Sequence, residues 1–289
     1  MKRKEVPSQA DAPNLVERID QLSIKRQEII RPILEHPREY VLLSVRAMAL
    51  RLQTDPATMV RIVRGLGFGS YREFQRHLHE LSLAYATSLD TMQSGGRDGS
   101  MPSHVRDSLE QDLKNLQGLK NSLDARRLVA LAKRFYEAGR IVLLAGDLAI
   151  QLAHYLEYQI SLLGLPIFAA TSAGRVLHLV RSVNKQDLII AISFRRGLRQ
   201  TVEGAQQARA RGAYCVGISD TYISPLAREC DEVFLASIES TSFGASYAAP
   251  IALLNAVLAA VGNYRRAQTL ALAKEIAEEQ RKGFRWYAS

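Results

Sequence analysis

The chain has 289 residues, of which 47% are hydrophobic and 23% charged, a balance typical of a soluble globular protein long enough for two domains. Its formal net charge of +9 favours polyanionic partners, nucleic acid first. The two cysteines lack CxxC spacing, which argues against a zinc site and a disulfide framework, and we expect neither a metal nor a cofactor.

No segment of the sequence predicts membrane targeting. The start, MKRKEVPSQADAP, lacks the apolar stretch of a signal peptide. The longest nearly apolar run, Ala248 to Val261, is too short for a span and contains Pro250 and Asn255. We therefore expect a cytoplasmic protein without a membrane partner.

The first 70 residues predict several short helices. Leu15 to Leu34 has helical spacing, and Pro32 predicts a break or restart within it. The first helix of a tight pair then begins after Ser44, a good N-cap. Its apolar stripe has the spacing i, i+3, i+4, i+7 and consists of Val45, Met48, Ala49 and Leu52. A positive φ at Gln53 in the turn would cost about 1 kcal/mol.

The second helix of the pair has an apolar face and a face suited to DNA. Asp55 can cap it, and Pro56 fits its first turn. Its apolar stripe consists of Met59, Ile62, Val63 and Leu66, and its other face of Ala57, Thr58, Val60, Arg61, Arg64 and Gly65. Small groups and arginines on an exposed helix suit the major groove. The alternative is a helical hairpin with a solvated charged face.

Nine residues around this pair are candidate DNA contacts. We predict Thr58, Arg61 and Arg64 near bases or phosphates, with Val60 against a thymine methyl and Ala57 on the same face. The predicted phosphate contacts are Arg46, Arg51, Tyr71 and Arg72.

This segment resembles the helix-turn-helix of the RpiR family of bacterial transcription regulators. The matching residues are the start Asp55-Pro56-Ala57-Thr58, Arg61, the ending Leu66-Gly67-Phe68, and the aromatic residues Tyr71 and Phe74. Gln53-Thr54 departs from the glycine and small apolar residue that are more usual in the turn. The resemblance implies binding to double-stranded DNA.

The segment QSGGRDGSMPS is rich in glycine and serine and predicts a linker over residues 93–103. We thus expect an all-α helix-turn-helix domain over residues 14–92 and an effector and oligomerisation domain over residues 104–289. His104 to Leu123 reads as a helix that bridges to the second domain or dimerises it. We expect Trp286 and Tyr287, in the amphipathic C-terminal segment, to dock on the domain or on a partner subunit.

From about residue 124, five short apolar runs alternate with helical stretches. These runs are RIVLLAG, LPIFAA, DLIIAIS, AYCVGIS and EVFLAS. Continuous apolar strands separated by helices predict an α/β domain with a five-stranded parallel sheet and helices on both faces. Ligands of such sheets bind outside the carboxyl ends of the strands, where the strand order reverses.

Residues 124–262 resemble the sugar isomerase (SIS) domain. The features that carry the resemblance are Gly146 after the first strand, DLIIAIS, AYCVGISD, and the turn Ser224-Pro225-Leu226-Ala227 before an acidic residue and a strand. RpiR regulators pair this domain with the helix-turn-helix. The resemblance implies a regulator that senses a small anionic metabolite and forms a dimer or tetramer through the SIS domain. A phosphosugar isomerase with Glu239 or His178 as its base is the alternative, and a ligand-blind architectural protein is a third possibility.

The resemblance also implies a phosphosugar pocket of hydroxyls and backbone N–H groups, from which this sequence departs. After the first strand, Gly146 is followed by the carboxylate of Asp147. In the loop after the third strand, Ser193 is the one residue that matches the family's pattern. Arg195, Arg196 and Leu198 stand where that pattern has a serine, a glycine and a threonine. The arginines could grip an anionic ligand, or Asp147 could pair with one of them and plug the phosphate subsite. The candidate effector residues are Gly146, Asp147, Thr171, Ser172, Ser193, Arg195, Arg196, Ser219 and Glu239, and Asp220 also lies at a predicted strand end.

Overall fold

The computed structural model describes residues 15–35, 37–84, 100–195, 197–222 and 224–282. The chain divides into two compact units. The first unit comprises Met1–Ser108 and Glu239–Ala245, and the second unit comprises Leu109–Ile238 and Ser246–Ser289. The division after Ser108 falls inside a helix, and residues 93–99 of the predicted linker lie outside the described residues.

The first unit is helical throughout its described elements. These are α1 (Leu15–Asp20), α2 (Ile24–Glu35), α3 (Pro37–Tyr40), α4 (Val45–Arg51), α5 (Pro56–Gly65) and α6 (Tyr71–Ala84), and α7 (Met101–Ser122) begins in this unit. The predicted break at Pro32 is wrong, because Pro32 lies inside α2 and the chain breaks between Asp20 and Ile24. Pro32 removes one N–H donor from α2, but its neighbours Ile30, Ile33 and Leu34 are buried, so packing holds the helix through the proline.

The helix pair of α4 and α5 forms as its stripes predict. The fully or nearly fully buried residues of α4, α5 and α6 include Met48, Ala49, Met59, Ile62, Val63, Phe74 and Leu78. Ser44 and Asp55 cap α4 and α5 through their side chains, and Gln53 in the turn between them has a φ of 52°. Gly67 follows α5 with a φ of 89°, and the guanidinium of Arg18 donates to the carbonyl of Leu66, 3.0 Å away.

The second unit is an α/β sandwich around one parallel sheet. Its strands are β1 (Ile141–Ala145), β2 (Ile167–Ala170), β3 (Leu188–Ile192), β4 (Tyr214–Ser219) and β5 (Glu232–Leu235), in the order β2-β1-β3-β4-β5. Its remaining helices are α8 (Ala125–Glu137), α9 (Ala149–Ser161), α10 (Ala173–Arg181), α11 (Arg199–Ala210), α12 (Pro225–Arg228), α13 (Ala248–Tyr264) and α14 (Arg266–Lys282). The predicted fold class is confirmed in both halves of the chain.

Alternate residues of each strand face two separate cores. Leu188, Ile190 and Ile192 of β3 pack in a cluster with α8, α9 and α13. Ile189 and Ala191 pack in the other cluster, with α10, α11 and α12. Both faces of the sheet are therefore covered, which explains why the strands read as continuous apolar runs.

Three further predictions from the sequence concern membrane spans, the cysteines and the C-terminal aromatic residues. Among the described residues, no helix is long and apolar enough to cross a membrane. Cys215 and Cys230 are buried free thiols, and burial raises the pKa of Cys215 to about 12. Trp286 and Tyr287 lie outside the described residues.

Candidate functional site

The polar face of α5 is open to solvent. Ala57, Arg61 and Arg64 are exposed, and Thr58 and Val60 are partly exposed. Neither Arg61 nor Arg64 forms an ion pair with any side chain that the structure describes. The helix therefore presents two guanidinium groups that lack an ion-pair partner among the described residues. They stand beside small side chains, an arrangement that can approach base edges and phosphates.

Asp55 fixes the start of this helix. Its Oδ1 accepts the backbone N–H of Thr58 at 2.9 Å, and its Oδ2 accepts the Thr58 hydroxyl at 2.6 Å. These bonds, together with the positive charge of Arg61, hold the pKa of Asp55 below its usual value of 3.8. The hydroxyl proton of Thr58 is thus engaged by the cap, which leaves its hydroxyl oxygen as an acceptor.

Arg51 and Tyr71, two of the predicted phosphate contacts, form hydrogen bonds within the first unit. Arg51 donates to the carboxylate and carbonyl of Glu39 and lies 4.8 Å from the ring centroid of Tyr40. The Tyr71 hydroxyl donates to the carbonyl of Leu43 at 2.8 Å, and burial raises its pKa to about 12. Both side chains thus hold elements of the first unit together, and their phosphate contacts stay predictions. Arg46 and Arg72 are exposed, and their phosphate contacts stay predictions too.

The predicted effector loops meet where the strand order reverses, between β1 and β3. Gly146 follows β1, and a Cβ added there would lie 2.1 Å from Cδ2 of Leu198 and 2.7 Å from Nε2 of Gln200. Leu198 belongs to the loop after β3, and its N–H donates to Oγ of Ser193 at 2.9 Å. The ends of the Leu198 and Gln200 side chains thus lie directly over position 146, and a larger residue there would have to displace them.

Arg195 lies beside an acidic and an aromatic side chain at this edge of the sheet. Its φ is 57°, and its backbone N–H donates to Oδ1 of Asp220 at 2.8 Å. The Nε of Arg195 is buried and meets no acceptor among the described residues. Tyr247 packs against Phe194 with ring centroids 5.3 Å apart.

Burial raises the pKa of the Tyr247 hydroxyl to about 12, and three charged groups act on it. Asp147 and Asp220 raise this pKa further, whereas Arg195 lowers it. Burial also raises the pKa of Asp220, against the lowering effect of its hydrogen bonds and of Arg195.

The predicted ionic plug does not form between Asp147 and Arg195. Asp147 is exposed, has a φ of 54°, and forms no ion pair with Arg195. Arg196, the other predicted partner, lies outside the described residues. The side chain that occupies the space over Gly146 is the apolar Leu198.

The other predicted effector residues are distributed more widely. Thr171 follows β2 and is half-buried, and Ser172 caps α10 by accepting the N–H of Arg175 at 3.4 Å. Ser219 is fully buried, and its hydroxyl lies 2.9 Å from Oγ of Ser224. Ser172 therefore caps a helix and Ser219 bonds to a buried neighbour, two structural roles that their positions at strand ends did not predict.

Glu239 and His178 are the two predicted candidates for a catalytic base. Glu239 belongs to the segment Glu239–Ala245, which groups with the first unit, and its predicted place in the effector site stays a prediction. Three residues separate Glu239 from the end of β5. His178 is exposed in the last turn of α10.

Sequence reasoning missed Tyr247. It is the residue directly before α13, far along the chain from Phe194, against which its ring packs. An aromatic residue just before an apolar helix was the one available signal, and it does not reveal a long-range contact.

A cavity of about 530 Å³ lies at the opposite, amino edge of the sheet, lined by residues that include Arg134, Lys185 and Tyr214. The guanidinium of Arg134 lies 3.5 Å from the ring centroid of Tyr214, and Asp187 binds Arg140 at 2.7 Å. Much of the lining is thus engaged in contacts of its own.

Comparison with known proteins gives the same two-part organisation. Residues 134–260 match the SIS domain family. The chain is 24% identical over 211 residues to the HTH-type transcriptional regulator HexR of Pseudomonas aeruginosa, covering 73% of each chain. It is 25% identical over 222 residues to HexR of Escherichia coli, covering 75% of each.

Two solved structures share the fold. The sugar isomerase domain of an RpiR transcription factor from Sphaerobacter thermophilus has a TM-score of 0.58 at 24% identity, covering 62% of this chain and 99% of that one. The NanR protein of Vibrio vulnificus, solved in complex with ManNAc-6P, has a TM-score of 0.57 at 20% identity, covering 92% of this chain and 96% of that one.

Proposed function

We propose that this chain is a helix-turn-helix transcriptional regulator of the RpiR family with a SIS domain, and that it reads duplex DNA with the polar face of α5. We further propose that a small anionic metabolite, held at the β1/β3 edge, changes this DNA binding.

The exposed arginines of α5 carry the proposal. Arg61 and Arg64 lie on the solvent face of a capped helix whose other face is buried. A guanidinium can donate two hydrogen bonds to guanine or bind phosphate, and the net charge of +9 favours approach to DNA. A hairpin with a merely solvated face would carry the same charges without base preference.

The buried Nε of Arg195, which meets no acceptor among the described residues, supports an anionic effector. The loops after β1 and β3 meet at the reversal of strand order, where ligands of parallel sheets bind. NanR was solved with a sugar phosphate, which supports a sugar-derived ligand for this chain too. The ligand must bind one arrangement of the regulator more tightly than another in order to shift DNA affinity.

We propose that the protein is a cytoplasmic regulator without turnover. A sugar isomerase needs a base over the reacting carbons, and His178, one of the two predicted bases, is exposed in the last turn of α10. The relatives with names are transcriptional regulators, which also supports a protein without turnover.

We also propose a homo-oligomer, which would let two α5 helices read paired half-sites. An exposed stripe on α7 supports this, because Met101, Val105, Leu109 and Leu113 are each at least 61% exposed. Residues four apart form the ridges that interlock when helices pack, so a second copy of the stripe would fit it.

The test is selection of bound duplexes from a random pool, repeated with a metabolite panel. The proposal predicts enriched duplexes with two related half-sites and an enrichment that one class of metabolite changes. Recovery of duplexes without any shared sequence would overturn the DNA-reading function.

A further inference from the structure

The hydroxyl of Thr58 donates its one proton to Asp55. The hydroxyl oxygen lies 2.6 Å from Oδ2 of Asp55. The pKa of Asp55 is held below 3.8, so this carboxyl is ionised at neutral pH and has no proton of its own to donate. The hydrogen bond therefore runs from Thr58 to Asp55, and the hydroxyl oxygen keeps its lone pairs as an acceptor.

Thr58 lies near the end of α5 that a recognition helix places against the bases. It is the third residue of the helix and is partly exposed, and its neighbours Ala57 and Arg61 on the polar face are exposed. In helix-turn-helix proteins, the residues at the start of the recognition helix contact base edges in the major groove. Under the proposed function, Thr58 is thus within reach of a base edge, and its partner depends on what its oxygen can bind.

A phosphate group is a poor partner for this end of the helix. Pro56 has no N–H, and a hydrogen bond from the Ala57 N–H contributes to the lowered pKa of Asp55. The N–H groups of Thr58 and Met59 donate to the side chain and the carbonyl of Asp55, at 2.9 and 3.1 Å respectively. In contrast to a helix start with free N–H groups, this one presents an exposed carboxylate to a phosphate.

The base edges of the major groove offer two kinds of partner. Adenine N6 and cytosine N4 carry amino groups that donate, whereas guanine N7 and O6 and thymine O4 accept. An oxygen that can only accept therefore pairs with adenine or cytosine, and at guanine or thymine it meets another acceptor. Because each base pair has one such amino group, this contact decides which strand carries the adenine or cytosine.

We propose that Thr58 is a specificity-determining residue whose hydroxyl oxygen accepts a hydrogen bond from the amino group of an adenine or cytosine in each half-site. Asp55 is then a positioning residue, because it keeps the hydroxyl proton turned away from the DNA. This inference rests on the function proposed above and specifies what one residue of α5 reads. Arg61, about one turn further along, can only donate and suits guanine, so the two side chains read opposite features of the groove.

Selection of bound duplexes with the full chain, repeated with Thr58→Val, finds the base pair that Thr58 reads, since it is the position at which the two selections differ. Fluorescence anisotropy then compares four duplexes that differ only there. The unchanged chain should bind adenine or cytosine on one strand about fivefold or more tightly than guanine or thymine. Thr58→Val keeps the methyl group but loses the oxygen, and should reduce this ratio to within about twofold. A preference of the unchanged chain for guanine or thymine, or selections that agree at every position, would overturn the inference.

Two further variants separate the oxygen from the methyl group and from the fold. Thr58→Ser keeps the hydroxyl without the methyl group and should retain the preference for adenine or cytosine, whereas a lost preference would overturn the assignment to the oxygen. Thr269→Val on α14 is the matched control, because the hydroxyl of Thr269 donates to the carbonyl of Arg265 at 3.4 Å. It should alter the preference at no position.

Asp55→Asn tests the direction of the hydrogen bond. Asparagine caps a helix about as well as aspartate, so α5 should keep its start. Its amide can donate to the Thr58 oxygen, which releases the hydroxyl proton toward the DNA. Guanine or thymine should then gain affinity relative to adenine or cytosine at the Thr58 position. An unchanged preference would contradict the role given to Asp55.

The selection with the unchanged chain separates this inference from the proposed function. If a shared sequence is enriched and Thr58→Val leaves it unaltered, the inference fails and the regulator stands. If no shared sequence is enriched, the proposed function fails and the inference fails with it.

Discussion

Asp55 fixes the start of α5, the helix proposed to read DNA. Its carboxylate accepts hydrogen bonds from the N–H and the hydroxyl of Thr58, which orders the first turn of the helix. Arg61 lies about one turn further along. Because these bonds favour the ionised form, the folded pKa lies below 3.8. The stabilisation is therefore present above this pH and is lost as the pH falls through the folded pKa.

Asp55→Ala should lower the melting temperature at pH 7, because the cap loses its acceptor. The gap in melting temperature should persist down to about pH 4 and narrow only as the pH falls below 3.8, where the folded carboxyl of the unchanged chain begins to protonate. Melting curves at successive pH values measure the gap. A gap that widens toward low pH would contradict the assigned sign.

Arg61→Ala should cost about 1–3 kcal/mol of binding to a selected duplex if its guanidinium contacts a base, with a smaller loss on a scrambled duplex. Fluorescence anisotropy with both duplexes measures the two losses. Arg31→Ala is the matched control, since Arg31 is exposed on α2 and not on the recognition helix. Unchanged affinity in Arg61→Ala would place this arginine in solvent.

Residue-scale predictions succeeded where the cause was local. The caps Ser44 and Asp55 and the positive φ at Gln53 depend on neighbours within a few residues, so the sequence revealed them. Tyr71 and Arg51 contact carbonyls 28 and 12 residues away, respectively, and no spacing rule predicts such pairs.

Among the elements, α11 packs against the sheet through a glycine. A Cβ at Gly204 would lie 2.7 Å from Cγ1 of Val176 and 3.2 Å from Cδ1 of Leu144. The absence of a side chain therefore lets α11 approach β1 and α10. The small residues Ala205 and Ala208, buried on the same helix, continue this close contact.

Gly204→Ala should destabilise the fold by about 1–3 kcal/mol, because a methyl group would overpack a β-branched neighbour. The matched control is Gly118→Ala on α7, where nothing lies within 4 Å of the added Cβ. That change should stabilise the helix by up to about 1 kcal/mol. Denaturant unfolding compares the two, and stabilisation by both would contradict the close packing.

The strands and their order of appearance were predictable because each is a buried apolar run between helical segments. The break before α2 was not predictable in the same way. Pro32 suggested a break at its own position, but it lies inside α2 and does not end that helix. The side chain over Gly146 was not predictable either. The charges in the sequence predicted a pair of Asp147 with an arginine at this place, whereas Leu198 packs there.

At the scale of the whole molecule, α7 has an apolar stripe, Met101, Val105, Leu109 and Leu113, that none of the described residues covers. Its four members lie four residues apart, which keeps them within roughly a third of the helix circumference. Burying such a stripe against a second copy would remove several large side chains from water, each contributing about 1.5–3 kcal/mol when fully buried.

Leu109→Asp should shift the full chain toward the 32.2 kDa monomer, because a carboxylate would be buried in the contact. Sedimentation velocity measures the shift. The matched control is Leu177→Asp, because Leu177 is an exposed residue of α10, and this change should leave the assembly unchanged. An unaltered oligomer in Leu109→Asp, or a monomeric unchanged chain, would exclude this stripe as the interface.

The central claim is that α5 distinguishes DNA sequences, and the affinity ratio between a selected and a scrambled duplex tests it most directly. Measured on the full chain at one fixed salt concentration, the ratio should be about 1,000 or more in favour of the selected duplex. A ratio near one would mean that the arginines of α5 attract DNA only by charge, which contradicts the account.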